Sequence, residues 1–91
     1  MSVVAEAKPK LSHLFRMQWE EVQQCHVLLY PEGMVKLNES AGEIMKRCDG
    51  VRSVAEIVAD LEASFNANGL RPEVDSFLEI AYTKGWLVKA S

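Results

Sequence analysis

Apolar and polar residues alternate from Phe15 onward: Phe15, Met17 and Trp19 are apolar, while Arg16 and Gln18 are polar. A period of two buries one face of a strand. Cys25 to Tyr30 reads as a second strand. Val27 and Leu29 share one face, Leu28 and Tyr30 the other, and apolar residues on both faces suit a central strand. Pro31, Glu32 and Gly33 follow, with Pro placed for the second position of a type I turn and Gly for the fourth. A third strand, Met34 to Leu37, then closes a hairpin on the second. Its outer side has no partner in such a meander, so it is expected at a sheet edge.

The period then changes to that of helices. Asn38 is a favourable N-cap, and Ala41, Ile44, Met45 and Cys48 fall on one helical face. Asp49 and Gly50 end that helix. Ser53 and Glu56 form a capping box for a second helix, whose stripe is Val54, Ile57, Val58, Leu61 and Phe65. Residues Asn66 to Arg71 make a loop. Pro72 suits the first position of a third helix, and Gly85 sits where a left-handed residue ends it. Trp86, Leu87 and Val88 either form a short closing strand or pack on the core. Residues 1–10 are small, charged and aperiodic, and are expected as a flexible tail ahead of a single domain over 11–91. Three strands followed by three helices predict an α+β domain, with short helices and a hairpin suggesting a winged helix-turn-helix.

The third helix is apolar over a wide arc. At about 100° per residue, Ile80, Phe77, Ala81, Val74, Leu78 and Tyr82 span about 200°, twice what packing on a core requires. Part of that arc is therefore available to another chain, unless Trp86 or the N-terminal segment covers it. A strand edge beside an apolar helix makes a cleft in which an extended peptide adds a strand. On this reading a proline at Val35 removes an edge donor and weakens peptide binding.

Bulk properties narrow the function. A chain of 91 residues with net charge −3 supports one modest core and lacks the clustered Lys and Arg of a phosphate binder. The stretch from Pro72 to Lys84 carries Glu73, Asp75 and Glu79 against Lys84, which disfavours the alternative of a winged-helix DNA-binding protein. Cys25 and His26 are adjacent, but neighbours on a strand point to opposite faces, so they form no nucleophile–base pair. His13, Cys25, His26 and Cys48 match no zinc spacing, and no phosphate loop or dinucleotide fingerprint is present. The expectation is a protein with no catalytic residues, metal or cofactor. Two separated cysteines, no secretory pattern and no apolar run of about 20 residues lead us to expect a cytoplasmic chain with free thiols.

Several segments, in order, resemble one family. LLYPEG at Leu28 to Gly33, MVKLNESA at Met34 to Ala41, CDG at Cys48 to Gly50, AEIV at Ala55 to Val58 and GWL at Gly85 to Leu87 are similar to PqqD, as is the stretch Arg16 to Gln24. The likeness extends from Leu11 to Val88. It implies a peptide chaperone of pyrroloquinoline quinone (PQQ) biosynthesis that binds the precursor peptide PqqA. It also implies a complex with the radical S-adenosylmethionine enzyme PqqE, which joins a Glu and a Tyr of that peptide. In such recognition domains the leader peptide adds to the third strand and rests on the third helix. The candidate peptide-binding residues are then Tyr30, Met34, Val35, Lys36, Leu37, Val74, Phe77, Leu78, Ile80, Ala81, Tyr82 and Lys84. A homodimer formed by exchange of N-terminal strands is compatible with the same open edge.

Overall fold

A computed structural model describes residues 4–89; the first three residues of the expected tail, and the last two of the chain, lie outside the described residues. The elements are β1 (Pro9–Leu11), β2 (Arg16–Glu20), β3 (Cys25–Tyr30), β4 (Gly33–Lys36), α1 (Glu39–Met45), α2 (Val54–Ser64), α3 (Arg71–Thr83) and β5 (Leu87–Lys89). The fold is α+β and winged helix-turn-helix-like. Strands β2, β3 and β4 form an antiparallel sheet in that order, with β3 in the centre, and three helices follow.

Each turn of the sheet has a local cause. Glu20 pairs with Cys25 across the β2–β3 turn, where Gln24 adopts φ 55° and its Nε2 donates to the Glu21 carbonyl at 2.7 Å. Tyr30 pairs with Gly33, so Pro31 and Glu32 alone connect β3 to β4. Neither has a positive φ, in keeping with the type I turn that the fixed φ of proline favours.

One sheet face carries Met17, Leu28 and Val35 in one cross-strand row and turns toward the helices. The other carries Gln18, Val27 and Lys36 in a row. Val27 has no exposed surface even so.

The helices start where their caps dictate. Asn38 Oδ1 accepts from the Ala41 amide at 2.7 Å. Ser53 Oγ accepts from the Glu56 amide at 3.2 Å, and Glu56 Oε1 accepts from the Ser53 amide at 2.8 Å, completing the capping box. Helix α3 begins one residue earlier than the sequence pattern suggests, with Pro72 inside its first turn. Gly85, at φ +79°, follows its C-cap. Helix α1 stops at Met45, yet Cys48 stays buried because two tight turns carry the chain back toward the core. Gly42 packs closely against β3: a Cβ there would lie 3.0 Å from His26 Nδ1.

Two expectations need correction. The expected tail is bound into the fold from Ala5 onward. Ala7 and Ala5 accept from the Val54 and Ala55 amides at 2.8 and 3.0 Å, supplying two of the acceptors that the first turn of α2 lacks. Pro9 to Leu11 then pair with Lys89 to Leu87, making a two-stranded ladder with the closing strand. Backbone pairing of this kind needs no side-chain periodicity, so the sequence carries little sign of it. Phe65, assigned to the buried stripe of α2, is 51% exposed, because it is the C-cap residue and its backbone has left the helical conformation.

Candidate functional site

The three-stranded sheet ends on one side at β4. Which of its backbone groups face outward follows from one bond. The Leu37 amide donates to the His26 carbonyl at 2.9 Å, so Leu37 and His26 oppose each other as a hydrogen-bonded pair. In an antiparallel ladder such pairs alternate with non-bonded ones. Val35 opposite Leu28 is therefore also an inward-bonded position, whereas Met34 opposite Leu29 and Lys36 opposite Val27 turn their N–H and C=O groups outward. The groups able to accept a guest strand belong to Met34 and Lys36. The assignment of an edge donor to Val35 is thus corrected: its amide holds the hairpin together.

The remaining candidates separate by exposure. Leu37, Val74, Leu78 and Ala81 lie in the core, where they fix β4 and α3 against the other elements and are not available to a guest. Val35, Phe77, Tyr82 and Tyr30 are half-buried. Met34 and Ile80, 45 and 50% exposed, are the large apolar side chains that β4 and α3 offer to solvent. Lys36 and Lys84 add exposed cations.

The wide apolar arc of α3 is partly closed by the chain itself, since the Trp86 ring lies 6.3 Å from that of Phe77. Ile80 is left open. Helical spacing puts Glu73, Phe77, Ile80 and Lys84 along one flank of α3. Tyr82 lies on the opposite flank. Its hydroxyl is buried without a hydrogen-bond partner, and burial pushes its pKa up.

Beyond the end of β4 lies a cavity of about 230 Å³ between α1, the end of α2 and the start of α3. Ile44, Leu61 and Val74 contribute its buried apolar lining, Phe65 an exposed wall, and Glu39 and Glu73 acidic side chains. Nearby, Arg47 ties α1 to α2. Its Nε donates to Asp60, and its Nη1 donates to the Glu43 carbonyl at 2.8 Å and to Glu43 Oε1 at 2.9 Å. The Arg47 hydrogen bonds hold the Glu43 and Asp60 carboxyls below the usual carboxylate range.

The thiols offer no paired chemistry. Cys25 lies opposite Glu20 and His26 opposite Trp19, on different faces of β3. Burial pushes the Cys48 thiol up to about 12, so it is protonated at neutral pH and a poor nucleophile. Among the described residues no group of three or more His, Cys, Asp or Glu is placed to hold a metal, and no helix is long and apolar enough to cross a membrane.

Among the described residues the sheet ends at β4 with the backbone groups of Met34 and Lys36 turned outward, and such an edge is suited to peptide capture; the comparisons with known proteins bear on it. A family profile described as "Coenzyme PQQ synthesis protein D (PqqD)" matches residues 25–87. A protein of Methylococcus capsulatus named "PqqA binding protein" is 47% identical over 87 residues, covering 96% of this chain and 94% of its own. Proteins with the same name from Stutzerimonas stutzeri and Pseudomonas aeruginosa are 50% identical over 80 residues and 52% over 83, covering 87 and 90% of both chains respectively. A solution structure of the PqqD portion of Methylobacterium extorquens PqqCD superposes with a TM-score of 0.75 at 28% identity, covering 88% of this chain and 87% of that one. That portion is described as a functional, stand-alone recognition element for ribosomally synthesized and post-translationally modified peptides. With a profile match across most of its length and relatives near half identical, the chain belongs to the PqqD family.

Proposed function

We propose that this protein is a peptide-binding adaptor of PQQ biosynthesis that captures the precursor peptide PqqA and presents it to the radical S-adenosylmethionine enzyme PqqE, contributing no bond-making chemistry of its own. The observation that carries the reading is the terminal position of β4, with Met34 and Lys36 directing backbone groups outward and the exposed Ile80 on α3. PqqA adds a strand to this edge. Backbone hydrogen bonds provide affinity that tolerates sequence change, and alternate side chains resting on Phe77 and Ile80 provide selectivity. The names of the relatives, which refer to PqqA binding, support the choice of peptide. The buried Cys48 and the separated Cys25 and His26 support a role without catalysis.

On this reading one chain binds one peptide, with β1 paired to β5 of the same chain. Calorimetric titration of the whole chain with synthetic PqqA tests this. The expected result is saturable heat with a stoichiometry of one. No heat at micromolar concentrations with folded protein, or two chains per peptide, contradicts it.

A further inference from the structure

We infer that a guest strand on the β4 edge leads into a side-chain subsite between α1 and α3, which takes one large apolar residue of the bound peptide together with a nearby cationic group. The inference rests on the peptide-binding reading above. Strand β4 ends at Lys36, and α1 begins three residues later at Glu39, whose side chain already lines the 230 Å³ cavity. A guest strand running past the end of β4 reaches that cavity within about three residues, at about 3.3 Å per residue.

The cavity suits a particular chemistry. An apolar cavity of about 150 Å³ holds a benzene ring, so this volume accepts one large aliphatic or aromatic side chain. Its apolar lining comes from Ile44, Leu61, Leu70 and Val74, and Phe65 stands exposed beside them. Neither the Glu39 nor the Glu73 carboxylate has a side-chain hydrogen bond or ion pair among the described residues. Glu43, by contrast, is held by Arg47 and Lys46. A purely apolar guest would strip water from the two free carboxylates without compensation. A Lys, an Arg or a free amino terminus next to the apolar residue offsets that loss. The occupant is therefore a segment of the same peptide with an apolar anchor and an adjacent cation, not an acidic one.

Calorimetry on the whole chain separates this inference from the reading beneath it. The probes are synthetic PqqA and a version with each Lys and Arg replaced by Gln. The protein forms are wild type, Glu39→Gln/Glu73→Gln and Ser40→Trp, the last filling the cavity from an exposed position on α1. The double Gln variant is expected to bind PqqA about fivefold more weakly, with a shallower salt dependence. Ser40→Trp weakens binding as well. The Gln-substituted peptide loses affinity for wild type but binds the double Gln variant no more weakly than PqqA does. Wild-type affinity for PqqA in both folded variants, or an equal loss on peptide neutralisation in every protein form, overturns the subsite and leaves strand addition standing. No binding of PqqA by wild type overturns both.

Discussion

Replacing Lys36 by proline tests which backbone groups of β4 receive the peptide. Lys36 lies opposite Val27 at a position whose N–H faces away from β3, so a proline there removes no bond of the existing ladder. Proline is tolerated on edge strands when the lost N–H faces solvent, and its preceding residue, Val35, already has the extended conformation proline demands. The fold is expected to lose under about 1 kcal/mol, a small change in thermal midpoint. The peptide loses one backbone hydrogen bond, and the proline ring leaves the facing carbonyl unsatisfied. That penalty is about 2 kcal/mol, or about thirtyfold in dissociation constant at 25 °C. Lys36→Gln controls for the charge and should change affinity less than about fivefold. Val35→Pro is the contrast: Val35 is an inward-bonded position opposite Leu28, so this change removes a ladder hydrogen bond and destabilises the fold by about 1–3 kcal/mol. Fluorescence anisotropy with labelled PqqA, alongside thermal melts, reads both quantities. Undiminished affinity in a folded Lys36→Pro protein would refute strand addition at β4.

Three further substitutions probe what holds the site in place. Arg47→Ala should cost about 2 kcal/mol in chemical denaturation, because it leaves α1 and α2 without their shared hydrogen bonds. Since Arg47 depresses the folded pKa of Glu43 and Asp60, its stabilisation is present above their unfolded values and fades as pH falls through the lower folded ones. Wild-type stability should therefore drop below about pH 4.5, and the Arg47→Ala curve should be flatter there; parallel curves would contradict this. Tyr82→Phe should leave the thermal midpoint unchanged or raise it by up to about 1 kcal/mol of stability, as it removes a buried hydroxyl without a partner; a clear loss would mean that the hydroxyl has a partner. Gly42→Ala should not gain the roughly 1 kcal/mol that helix propensity offers, because the new methyl meets His26; in a His26→Ala background the gain should appear, and an equal effect in both backgrounds would rule out the contact.

The sequence pattern carried the central sheet and the helices because each is half-buried, and burial imposes a period. The capping residues Asn38 and Ser53 announced two helix starts for the same kind of reason: their side chains have a specific local task. Features held by backbone alone were not legible. The pairing of Pro9 to Leu11 with β5 and the support of α2 by Ala5 and Ala7 use carbonyls and amides that every residue possesses. Alternation separates the two faces of β4 without saying which amides turn outward; the Tyr30–Gly33 pairing across the turn and the Leu37–His26 bond agree on that. Gly42 reads from sequence as a weak helix former, and only the packing of α1 on His26 accounts for it. The arc of α3 identified an apolar flank without dividing it; Leu78 and Ala81 went to the core, and Ile80 was left outside.

Amide hydrogen exchange, resolved by residue in the presence and absence of saturating PqqA, addresses the edge most directly. The Met34 and Lys36 amides should exchange readily in the free protein and become protected in the complex, while Val35, bonded inward in both states, changes little. Met34 and Lys36 amides that exchange as fast in the complex as in the free protein, or protection confined to β2 at the opposite margin, would contradict it.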